Sequence, residues 1–60
     1  MYTKQMYEEV AELLAQEHRK GNTETKLAVE TLAFKFAVLF KRDNPSFSRE
    51  RFMQACEIGG

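Results

Sequence analysis

The chain has 60 residues, nine basic side chains against nine acidic ones, and 43% hydrophobic residues including five phenylalanines. Its length allows one domain, which buries only about 60% of the surface its unfolded form exposes. Charge balance removes the general attraction to phosphate that small nucleic-acid binders rely on, and the apolar content excludes a disordered chain.

Cys56 is alone, so no internal disulfide can form, and a reducing compartment is expected. No stretch approaches the roughly 20 apolar residues of a membrane span. The opening MYTKQMYEEV lacks the basic and apolar regions of a signal peptide. The sequence therefore reads as a soluble, cytoplasmic protein with no membrane partner. The charge is uneven. The first segment sets Lys4 against Glu8, Glu9, Glu12 and Glu17, and the remainder is net basic, which suits an acidic helix packed beside a basic one.

Residues 3–20 have a helical period. Tyr2, Met6, Val10, Leu13 and Leu14 form one stripe with Tyr7 at its edge, while Glu8, Glu12, Gln16 and Arg19 lie opposite. The basic end His18-Arg19-Lys20 suits the helix dipole, and Gly21 is expected as a left-handed C-cap. Asn22 and Thr23 are both N-cap candidates. The short connection favours an antiparallel helical hairpin.

The second helix, about residues 24–42, is apolar on two sides. A broad face carries Ala28, Val29, Leu32, Ala33, Phe36, Leu39 and Phe40. A narrow strip nearly opposite carries Leu27, Thr31, Phe34 and Val38. A helix greasy on two sides must be covered on two sides, and helix one covers one of them.

Pro45 stops this helix, and Ser48 is the natural N-cap of a third, about residues 48–57, ended by Gly59 and Gly60. Phe47 before that cap and Phe52 four residues inside it have the spacing of a hydrophobic staple. The fold expected is all-α: a helical hairpin and a short third helix in one domain, residues 1–60, completed by dimerisation. The expected hairpin core is Met6, Val10, Leu13, Leu14, Ala28, Leu32, Phe36, Leu39 and Phe40. Phe47, Phe52, Met53 and Cys56 are expected to pack at the open end.

Asp43, Asn44, Pro45, Phe47, the block Arg49-Glu50-Arg51-Phe52, Ala55 and Cys56 carry a resemblance. They are similar to the C-terminal pattern of small uncharacterised bacteriophage and bacterial proteins, DNPxFxRERF followed three residues later by Cys. Ser46, Ser48 and Met53 depart from the usual Arg, Asp and Leu. Ser48 keeps the capping ability of Asp. The resemblance covers about a quarter of the chain. It implies a small accessory protein and supplies no active site.

The residue types give little chemistry. His18 sits in a basic last turn and reads as a solvated helix-end residue. Cys56 has core spacing and reads as a buried small hydrophobe. Glu17 and His18 are adjacent and do not face each other, and no pair has zinc-ligand spacing. Glu8, Glu9 and Glu12 read as a solvated face. No catalytic residue, cofactor or metal is assigned, and the chain is not expected to be an enzyme.

Two readings remain. In the first, the strip Leu27, Thr31, Phe34, Val38, with its steps of four, three and four, has the rhythm of a coiled-coil seam. It is expected to meet its own copy in a homodimer, in a protein that binds a host protein. In the second, helix two, the corner and helix three form a DNA-binding module. Arg49 and Arg51 would then reach bases and Lys35, Lys41 and Arg42 would touch phosphates.

Overall fold

The computed structural model describes residues 2–58. Three helices follow in order: α1 Lys4–Lys20, α2 Thr23–Asp43 and α3 Arg49–Ala55. The architecture is the expected one, all-α with a long hairpin and a short third helix that touches both of its arms.

Each helix starts on a side-chain cap that satisfies an otherwise orphaned backbone N–H. Thr3 accepts from the Met6 N–H at 3.2 Å. Asn22 accepts from the Thr25 N–H at 2.9 Å. Ser48 accepts from the Arg51 N–H at 3.2 Å. The staple at α3 is present, with the Phe47 and Phe52 ring centroids 5.7 Å apart. A second staple, not anticipated, sits at α1, where Tyr2 before the cap meets Tyr7 in the first full turn at 6.2 Å. Both staples converge on Phe40. Its ring lies 4.9 Å from Tyr2, 4.8 Å from Tyr7, 5.5 Å from Phe47 and 5.4 Å from Phe52. Phe40 is 1% exposed, and these edge and tilted ring pairs add to its area burial.

Two helix ends differ from expectation. Gly21 is extended, with φ −83° and ψ 158°, and is not a left-handed cap. Its role is clearance: a Cβ there would stand 2.5 Å from the Thr25 Cγ2 and 2.7 Å from its Cβ. At α3 the regular helix stops at Ala55, and the left-handed residue is Glu57, φ 61°. The Ile58 N–H donates to the Met53 carbonyl at 3.1 Å and the Glu57 N–H to the Gln54 carbonyl at 2.9 Å. This is the Schellman arrangement, completed before the glycines. It folds Ile58 into the core. Gly59 and Gly60, expected as the terminators, lie outside the described residues.

The core also differs from expectation. Leu14 and Phe40 are buried, and Val10 and Phe36 are half-buried against the core. However, Met6, Leu13, Ala28, Leu32 and Leu39 are exposed. Among the most buried positions on the hairpin arms are alanines: Ala11 and Ala15 on α1, Ala33 and Ala37 on α2, each 0–1% exposed. Val29 and Leu14 fill in beside them. Relative to expectation α2 is turned by roughly 60° on its wheel. The cause is the aromatic cluster. Phe40 must reach both staples at once, and the turn that brings it there brings Val29, Ala33 and Ala37 inward with it. Phe47, Phe52 and Cys56 are buried and Met53 half-buried at the open end, as expected.

Candidate interaction surface

The titratable groups that could carry chemistry are held in structural roles. His18 is not a solvated helix-end residue. Its side chain is 16% exposed and its Nε2 lies 2.9 Å from the Glu30 carboxylate, clipping the end of α1 to α2. The carboxylate run of α1 faces solvent. Glu9 accepts from the Gln5 amide and Glu12 from the Gln16 amide, each at 3.3 Å. Arg19 pairs with Glu57, which ties α1 to the chain end.

Cys56 is fully buried, and that burial pushes its thiol from an ordinary 9.0 up to about 11. A thiol so placed is a poor nucleophile at neutral pH. The folded protein keeps this proton up to about pH 11, whereas the unfolded chain releases it near 9.0. Stability from this group is therefore complete well below pH 9 and falls as pH rises through 11, by at most about 3 kcal/mol. Denaturant titrations at pH 8 and pH 10.5 should show that loss in the parent, and a smaller one in Cys56→Ala. Equal losses in both proteins would contradict it.

The five basic residues of the nucleic-acid reading are exposed and divided between different parts of the surface. Lys41 donates from Nζ to the Pro45 carbonyl at 2.6 Å and to the Phe47 carbonyl at 3.2 Å, so it holds the corner between α2 and α3. Lys35 and Arg42 lie on the outer side of α2, more than about 90° round its wheel from Lys41. Arg49 and Arg51 stand in the first turn of a helix only seven residues long. Arg51 lines a shallow cleft of about 320 Å³ with Lys4, Tyr7, Glu8 and Phe52. The Tyr7 hydroxyl is buried without a partner among the described residues.

Part of what the fold presents outward is apolar. The strip expected as a seam is bare: Leu27 is 58% exposed, Phe34 57% and Val38 36%. Neither α3 nor the aromatic N-terminus covers it. Thr31, also exposed, turns its hydroxyl back onto the Leu27 carbonyl at 3.0 Å, so the strip needs no polar partner.

A second bare face, which sequence reasoning assigned to the core, lies on the hairpin. On α1, α3 packs along the edge of Lys4, Glu8 and Ala11. Met6 and Leu13 fall roughly 170° away. On α2, Lys41 marks the edge next to the corner, and Leu32 and Leu39 again fall about 160–180° away. The hairpin thus has one face under α3 and one open face of Met6, Val10, Leu13, Leu32, Phe36 and Leu39. The signal for this face was the set of alanines at helical spacing on both arms, which take the buried positions and leave the leucines outside. The accessible surface of 4462 Å² exceeds the roughly 4,000 Å² of a typical folded 7.0 kDa monomer.

No helix of the described residues is long and apolar enough to cross a membrane. The chain matches no protein-family model, no curated protein and no solved structure.

Proposed function

We propose that this chain is a non-enzymatic protein–protein interaction module. It works as a homodimer in the cytoplasm and presents the outer strip of α2 to another protein. The observation that carries this reading is the bare strip Leu27–Thr31–Phe34–Val38, free of charge along about three turns of a well-capped helix. A large exposed apolar patch on a small fold marks a binding surface, and aromatic anchors such as Phe34 dominate helix docking.

The lone histidine tied to Glu30 and the buried thiol of Cys56 support a non-enzymatic role. The tail resemblance supports an accessory protein of phage or mobile-element type, for which a host protein is the natural target. The test is affinity capture from the cells that encode the chain, with the parent and Phe34→Glu as parallel baits. Phe34 is exposed, so the variant should keep its helical circular dichroism. It should lose at least about tenfold of a specific partner's recovery. Identical recoveries from both baits would overturn this reading.

A further inference from the structure

We infer that a second copy of the chain covers the open face of the hairpin, each α1 lying antiparallel across the partner's α2. This rests on the interaction-module reading and assigns the two apolar surfaces different occupants. The open face makes the dimer, and the strip Leu27–Phe34–Val38 stays outward on both sides.

The shape of the surface supports this assignment. A four-helix bundle needs faces two helices wide. The strip occupies one helix, whereas the open face spans both arms. Its register follows from Tyr7 against Phe40 and His18 against Glu30. Met6 is then roughly level with Leu39, Val10 with Phe36 and Leu13 with Leu32. Covering this face in two copies removes on the order of 1,000 Å² from water, at the small end of specific interfaces, so the dimer should dissociate in the micromolar range.

Charge selects the second copy and its orientation. At the rim of the face Glu9 on α1 is roughly level with Lys35 on α2, and Lys20 on α1 with Glu24 on α2. A two-fold axis along the helices sets each α1 on the partner's α2. Glu9 then faces the second copy's Lys35, and Lys20 its Glu24, with opposite signs at both levels. A two-fold axis across the helices would set α1 on α1. Glu9 would then approach its own copy's Glu9, and Lys35 would approach Lys35. Lys35 has no ion-pair partner among the described residues of one chain.

Sedimentation equilibrium on the full chain tests the assignment. The parent should associate to twice the 7.0 kDa chain mass. Phe34→Glu should dimerise like the parent. Leu13→Glu should weaken the dimer at least about a hundredfold, since it puts a charge into the apolar face. Glu9→Lys or Lys35→Glu alone should weaken it about tenfold, because each reversal breaks two symmetric pairs. The double reversal should return to within about threefold of the parent. These charge variants decide the matter if Leu13→Glu fails to fold.

A parent that stays monomeric overturns the inference. So does a double reversal that does not recover. A dimer abolished by Phe34→Glu and kept by Leu13→Glu also overturns it and places the seam on the strip. Partner capture is read separately, so the interaction-module reading stands or falls on its own assay.

Discussion

Phe40→Ala should cost about 4 kcal/mol and leave most of the chain unfolded at 25 °C. Truncating a buried phenylalanine typically removes 3–5 kcal/mol, through lost transfer energy and the cavity left behind. A core in a chain this short rarely supplies more than about 3–5 kcal/mol in total. Phe40 is the ring that both staples share, so its loss also releases Tyr2, Tyr7, Phe47 and Phe52 from their common partner. Phe34→Ala is the control. It removes the same side chain from the same helix, but from a position 57% exposed, and should cost less than about 1 kcal/mol in dilute solution. Urea titrations followed by circular dichroism measure both. Similar losses from the two substitutions would mean that Phe40 is not the shared core ring or that Phe34 is not exposed.

Ala33→Leu should destabilise the protein by about 2–3 kcal/mol, although it adds apolar volume to an apolar site. Ala33 is 0% exposed and lies in the core cluster with Ala11, Val29, Ala37 and Phe40. Extra methylenes there must push the arms apart or drive side chains off their rotamers. Leu32→Ala, one position earlier, should cost less than about 1 kcal/mol in the monomer because Leu32 is exposed. The pair inverts the usual ranking, in which losing a leucine is worse than gaining one. A larger loss from Leu32→Ala than from Ala33→Leu, at concentrations too low for association, would return the leucine to the core.

Local rules made the three helices legible. Asn22 and Ser48 cap, Pro45 stops, and Phe47 and Phe52 staple, each through contacts within a few residues of chain. The rotation of α2 was not legible, because its apolar positions cover most of the wheel and periodicity then has no single maximum. Hydrophobic size favoured Leu32 and Leu39 as inward residues. The decision lay with small alanines and with a ring cluster drawn from four separate parts of the chain. The His18–Glu30 contact and the burial of Ile58 also depend on tertiary placement, and no short spacing announces either. The Tyr2–Tyr7 staple is the exception, since its spacing matches that of Phe47 and Phe52 and could have been read beforehand. For the surface, the strip Leu27–Phe34–Val38 was legible as a two-sided pattern. The open face was not, because Met6, Leu13, Leu32 and Leu39 look like core until the burial of the alanines is known.

The most direct test is methyl-resolved nuclear magnetic resonance with a soluble paramagnetic probe, comparing dilute and concentrated protein. In dilute solution the Leu13, Leu27, Leu32 and Leu39 methyls should broaden strongly, while Leu14 and Val29 stay sharp. On concentration Leu13, Leu32 and Leu39 should become protected, with Leu27 still open to the probe. Shielding of Leu13 and Leu32 at monomer concentrations, with Val29 open instead, would contradict the packing on which both proposed surfaces depend.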